Sequence, residues 1–184
     1  NDVILGHAAL YASGQGVDLS YSDISGEPGL LITSGANGSG TVVGAGGKIN
    51  DTFTFVHYFE GSQSGDTIIG SNENRFEGFV GFGGADSIVG GGGFNVLDYA
   101  YEAEFVGPSA TGILANLAAG TIRDTQGFID TVSGIGELRG TDMNDSVSAA
   151  GTNVGIVLRT YAGNDTIVGS SRGDVIFAGS GNDL

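Results

Sequence analysis

Asp165, Asp174 and Asp183 recur nine residues apart in YAGNDTIVGSSRGDVIFAGSGNDL (residues 161–184), each behind a glycine-rich stretch and each followed by apolar residues. This period limits the fold more than any other feature of the chain. The motif reads G-x-x-x-x-D-x-apolar-x. Its first five residues need glycine's conformational freedom for a tight turn, and the residues after the aspartate suit a short strand with one side chain facing inward. A turn and a three-residue strand bury nothing alone, so copies must stack on one another. Two motifs per turn of a coil predict an all-β chain, a parallel β-roll or β-solenoid, with residues one turn apart in register. Asp165 and Asp183 then share one face, and Asp174 points to the other.

Further copies begin at Gly61 (GSQSGDTII), Gly81 (GFGGADSIV), Gly90 (GGGGFNVLD) and Gly140 (GTDMNDSVS). A longer repeat encloses them: shifting the chain by about 79 residues lays Asn50–Gly70 over Ile129–Ala149 and pairs Asp51 with Asp130, Asp66 with Asp145 and Asp86 with Asp165. The expected organisation is one continuous solenoid over residues 1–184, with long units at about 17–96 and 97–175 and partial repeats at both ends. Motifs already under way at Asn1 and Leu184 suggest an excerpt of a longer chain. Asp66 to Asp86 and Asp145 to Asp165 each span 20 residues, which predicts a small bulge in each unit. LLIT at Leu30, TVV at Thr41, TFTFVHYF at Thr52 and DTVSGI at Asp130 read as strands. TGILANLAAG from Thr111 has helix-forming residues but is short and bounded by glycine, and it too reads as strand.

Six Lys plus Arg against 21 Asp plus Glu give a net charge of −15. Nucleic acids and anionic membranes require a basic surface, so neither is an expected partner, and membrane insertion is not expected either; a cation is the expected one. Fourteen of the acids are Asp, which favours turns and hard-cation coordination. The absence of cysteine removes disulfides and thiolate metal sites. No apolar stretch has the length of a membrane span, and no signal peptide is evident.

These glycine-aspartate nonapeptides resemble the RTX, or haemolysin-type, calcium-binding repeats, most closely in residues 61–96 and 140–184 and in a fragment at residues 1–6. LDYA, GILANLAAGTI and DTVSGIGELRGTDMNDSV are similar to the spacers of that family. The resemblance implies a parallel β-roll with calcium between turns, in an extracellular or cell-surface bacterial protein exported by a type I system. Calcium takes six or more oxygens, which turn carbonyls and the aspartate at the sixth position supply. The implied ligands are Asp66 with Asp86, then Asp145, Asp165 and Asp183, with Asp174 and Asp2 completing sites that need further turns. Asn95 stands where an aspartate is expected and should make a weak or empty site. GSNENRFEG and AAGTNVGIV lose the aspartate, so ions are expected on one face of an interrupted ladder. The expected function is a non-enzymatic, calcium-dependent scaffold of adhesin, surface-layer or filament type, able to stack end to end. A calcium-dependent tail of a secreted enzyme or toxin is the alternative.

Other motifs fall to the repeat. GSSRG has the spacing of a hydrolase elbow around Ser171, but an elbow needs a helix and a histidine partner, and His7 and His57 are the only histidines. RGD at Arg172–Asp174 occupies the turn and metal position. The four N-x-[ST] sequons fall largely within the motif. GAGGKI lacks the phosphate-loop spacing, and no HExxH or cysteine set suits zinc. His57 reads as a strand-face residue.

Overall fold

The computed structural model describes residues 1–6, 17–24 and 26–184. In chain order its strands are β1 (Val3–Leu5), β2 (Val17–Ser20), β3 (Leu30–Ser34), β4 (Gly40–Gly44), β5 (Asn50–Thr54), β6 (Val56–Glu60), β7 (Thr67–Ile69), β8 (Phe76–Val80) and β9 (Ser87–Val89). They continue with β10 (Phe94–Asp98), β11 (Leu114–Asn116), β12 (Thr121–Arg123), β13 (Ile129–Ser133), β14 (Glu137–Arg139), β15 (Ser146–Ser148), β16 (Val157–Arg159), β17 (Thr166–Val168) and β18 (Val175–Phe177). One α-helix, α1 (Tyr99–Val106), follows β10.

The strands form two sheets. The larger has the order β1-β5-β4-β3-β7-β9-β13-β12-β11-β15-β17 and the smaller β18-β16-β14-β10-β8-β6-β2. From β5 to β10, and again from β13 to β18, consecutive strands alternate between the sheets. Neighbours within each sheet are parallel, except where β3-β4-β5 and β11-β12-β13 form antiparallel meanders in the larger one. Thr67 faces Ser87 and Ser146 faces Thr166, twenty residues on; Val157 faces Val175, eighteen residues on. These parallel neighbours therefore stand 18 or 20 residues apart, the separations between the motif aspartates. The long repeat also recurs in the pairing: β1 lies beside β5 as β9 lies beside β13.

The core sits between the sheets. Phe53 of β5 and Phe59 of β6 lie in different sheets with ring centroids 5.5 Å apart, and Phe59 stacks on Phe79 at 5.9 Å. The three-residue strands other than the exposed β18 each send a central side chain inward, as Ile68, Ile88 and Val147 do from the larger sheet and Leu138 and Leu158 from the smaller. Each such aliphatic side chain contributes about 1.5–3 kcal/mol by leaving water, so the stack draws its stability from many small, equal increments.

Three details differ from the sequence reading. The chain is not wholly β: LDYA opens α1, because the Asp98 side chain caps the Tyr101 N–H and Gly107, at φ 71, ends the helix just before Pro108. The two-residue insertions lie in the turns rather than in strand bulges, since connection 70–75 is two residues longer than 90–93 and connection 149–156 two longer than 169–174. TFTFVHYF is two strands, because Phe55 takes φ 60 and turns the chain from one sheet to the other; Gly134 does the same at φ 70 in the second unit. TGILANLAAG does hold a strand, β11, over Leu114–Asn116.

Candidate functional site

Four of the motif aspartates are buried, whereas Asp2 and Asp183 are exposed. Asp66, Asp86, Asp145 and Asp165 are buried at the start of β7, β9, β15 and β17, where each carboxylate accepts a backbone N–H from the neighbouring strand's first residues. Asp86 Oδ1 accepts from Asp66 N at 2.7 Å, and Asp66 Oδ1 accepts from Leu30 N at 2.6 Å. In the second unit Asp145 Oδ1 accepts from Ile113 N, Asp165 Oδ1 from Asp145 N and Asp183 Oδ1 from Asp165 N, at 2.8, 2.8 and 3.1 Å. The sets Asp66 with Asp86 and Asp145 with Asp165 and Asp183 are thus brought together as ladders along the larger sheet. Asp174 stands on the smaller sheet and accepts from Ile156 N at 3.1 Å. Asp2 is exposed and joins only through its backbone, its N–H donating to Asp51 Oδ1 at 2.7 Å.

Local chemistry explains the motif's first two positions. Ser62, Thr141 and Ser170 donate both backbone N–H and hydroxyl to Asp66, Asp145 and Asp174, closing each turn on its own carboxylate. The glycine before each must be glycine: a Cβ on Gly61, Gly81, Gly140 or Gly169 would come within 2.4, 2.1, 2.2 or 2.6 Å of the Oδ2 of Asp66, Asp86, Asp145 or Asp174. Asn95 is buried and reverses the polarity, its Nδ2 donating to the Gly134 carbonyl at 2.8 Å and its Oδ1 left without a partner.

Several participants were not legible in the motif. GSNENRFEG replaces its lost aspartate with Glu77, which lies two residues later and reaches back to accept the Ser71 N–H at 2.8 Å and the Ser71 hydroxyl at 3.1 Å. Asp130 extends the first ladder, accepting Asp86 N at 2.8 Å on Oδ1 and the Tyr99 hydroxyl at 2.7 Å on Oδ2. Asp51 does the same in the first unit, with Asp2 N and the Tyr21 hydroxyl at 2.7 and 2.9 Å. The alignment of Asp51 with Asp130 was the available signal. Glu102 of α1 and Asp124 of the β12–β13 turn complete a buried acidic group beside Asp86 and Asp130.

Desolvation dominates the electrostatics. Burial first, then the neighbouring charges of Asp130, Asp66 and Glu102, push Asp86 from 3.8 up to about 9. Burial, with Asp124 and Asp130, pushes Glu102 from 4.5 up to about 8. Asp130 and Asp145 rise to about 6, again chiefly by burial and against the N–H groups they accept. Burial likewise raises Asp66 and Asp124. Half-buried Asp174 is instead held below the usual range, mainly by the Ser170 hydroxyl.

This donor set suits a hard cation. All the side-chain donors are oxygens, and the buried Oδ2 atoms of Asp86 and Asp165 have no hydrogen-bond partner. Asp66, Asp145 and Asp174 have both oxygens engaged, yet a carboxylate has about four lone-pair sites and can accept more. Among the described residues no three His, Cys, Asp or Glu side chains converge on one metal position. An ion at these turns would therefore take one or two carboxylates with backbone carbonyl oxygens completing its shell.

The rival motifs take structural roles. Ser171 Oγ donates to the Thr152 carbonyl at 2.9 Å, Arg172 Nε to the Asn153 carbonyl at 3.1 Å, and Asp174 is closed on Ser170. His57 lies in β6 with its ring 5.6 Å from Phe76, and His7 lies outside the described residues. The two meanders, α1 and the alternating parallel strands define a β-rich protein with buried acidic ladders. No protein-family model matches the chain, and no curated protein matches it significantly.

Proposed function

We propose that this chain is a calcium-dependent structural segment of an RTX-type secreted or cell-surface bacterial protein, a parallel β-solenoid rather than an enzyme. The observation that carries the reading is the ladder: buried aspartates one coil apart, joined carboxylate to N–H, with no cationic side chain paired to Asp66, Asp86, Asp145 or Asp165 among the described residues. Carboxylates stacked at this spacing repel one another and lose their hydration on folding. Calcium supplies the missing charge. Asp66, Asp86, Asp145, Asp165, Asp174 and Asp183 hold it with turn carbonyls, and the serine or threonine after the first glycine orients the carboxylate.

Folding is then linked to the ion. Calcium bound only by the folded chain stabilises it in proportion to RT ln(1 + [Ca]/Kd), with Kd in the roughly 10⁻⁴ to 10⁻³ M class of extracellular modules. At cytoplasmic calcium the chain stays unfolded and competent for type I export; outside the cell it folds into a rod that serves as a scaffold and stacks end to end. Far-ultraviolet circular dichroism at neutral pH tests this. Strand signal should appear on raising calcium into the millimolar range and vanish with a chelator, whereas identical spectra in both conditions would reject the reading.

A further inference from the structure

The two units treat one buried glutamate differently. In the first, Glu27 reaches the β4–β5 turn and accepts Gly46 N on Oε2 at 2.7 Å and Lys48 N on Oε1 at 3.3 Å. The Lys48 ammonium lies close by on the Gly26 carbonyl at 3.0 Å, and residue 45 is alanine. In the second unit Glu102 reaches the equivalent β12–β13 turn, and Thr125, 79 residues after Gly46, donates its N–H at 3.3 Å and its hydroxyl to Oε1. There Gly127 replaces Lys48 and Asp124 replaces Ala45. Lys48 is lost and a second carboxylate is added, while Arg123 stands where the first unit has Gly44.

The added charge is only partly compensated. Glu102 Oε2 and Asp124 Oδ2 are buried and have no hydrogen-bond partner, while Asp124 Oδ1 accepts from Gln126 N and Phe128 N at 3.0 and 2.7 Å. Both residues have no solvent exposure, Asp130 lies near enough to act on each, and no ion pair reaches either among the described residues. Buried polar oxygens without partners are rare in folded proteins and point to a missing ligand. Exposed Arg123 offsets Asp124 only in part.

We infer that the orphaned oxygens of Glu102 and Asp124, with the Thr125 hydroxyl oxygen beside them, form a second site for a hard divalent cation such as calcium, between α1 and the β12–β13 turn. This site goes beyond the glycine turns: it uses no motif aspartate as a ligand, and it replaces by a bound ion the charge that Lys48 brings to the first unit. It also pins α1 to the larger sheet, next to the contact that Phe105 makes with buried Phe82 at 5.0 Å.

Native mass spectrometry of the whole chain in calcium, counting bound ions, tests the inference. Glu102→Gln and Asp124→Asn keep the oxygen that accepts the turn N–H groups and replace each orphaned oxygen with an uncharged amide nitrogen that cannot bind the ion. The double variant should bind one calcium fewer than the parent with an unchanged circular dichroism spectrum, while Glu27→Gln leaves the count unchanged. An unchanged count in the double variant, with a higher melting temperature, would overturn the site in favour of a proton held between the two acids, and would leave the turn sites standing. A parent chain that binds no calcium would overturn both.

Discussion

Glu27 and Glu102 reach equivalent hairpin turns, yet Glu27 has an N–H on each oxygen, whereas Glu102 holds Thr125 with one oxygen and leaves the other bare. Around them the units agree closely. Tyr21 on Asp51 and Tyr99 on Asp130, and Phe55 and Gly134 at the corner between sheets, are the same parts used twice. What differs is how buried negative charge is balanced. The first unit balances its turn with protein groups, and the second concentrates Asp86, Glu102, Asp124 and Asp130 where no ion pair reaches them among the described residues. A repeat can thus hold its backbone plan constant while changing how its buried charge is balanced.

The largest effect should come from removing a rung that both units share. Asp66→Ala strands the N–H groups of Leu30 and Ser62, and Asp145→Ala those of Ile113 and Thr141, in buried positions. Each should cost roughly 2–5 kcal/mol in chemical denaturation. A large difference between the two would break the equivalence of the units.

The pH dependence of the calcium-free chain should be next in size. Asp86 at about 9, Glu102 at about 8 and Asp130 at about 6 bind protons in the folded state more tightly than in the unfolded chain, where carboxyls titrate near 4. The folded state then holds more protons, so their contribution is full below about pH 4 and is lost as pH rises towards about 9. The groups acting on them are Asp66, Asp124 and Tyr99, and none is cationic. With a stabilising osmolyte keeping the calcium-free chain folded, melting temperatures in chelator should fall between pH 5 and 9, and calcium should flatten the slope. A rise over that interval would contradict the acid cluster as the source.

Smaller changes sharpen the comparison. In the same chelator and osmolyte, Glu27→Gln should destabilise by about 1 kcal/mol, because an amide nitrogen cannot accept the turn N–H groups, whereas Glu102→Gln should stabilise at alkaline pH by removing a buried charge. Equal signs would show that the two glutamates are not opposed. Smallest, Gly134→Ala should cost roughly 1 kcal/mol by placing a Cβ at φ 70, a cost that Phe55 already bears in the first unit.

What was legible in the sequence followed from short periods. The nine-residue motif placed the strands after Asp66, Asp86, Asp145, Asp165 and Asp174 and the partners within each ladder, because stacking neighbours are fixed by counting along the chain. Two kinds of information were not periodic. Glu77 substitutes for an aspartate by standing two residues later with a longer side chain, so the motif looks lost although its hydrogen bonds persist. Asp130, Glu102 and Asp124 meet Asp86 only after a meander and a helix intervene, at separations that no local pattern encodes. The helix itself needed the cap at Asp98 to be seen as a boundary rather than as one more turn.

The central claim is that the buried aspartate ladders are held together by divalent cations, and a crystal structure grown in millimolar calcium tests it most directly. The account predicts ion density beside Asp86 Oδ2 and Asp165 Oδ2, buried motif carboxylate oxygens without a hydrogen-bond partner among the described residues, at calcium–oxygen distances of about 2.3–2.6 Å. The same ladders intact, with no ion at either oxygen under that concentration, would contradict it.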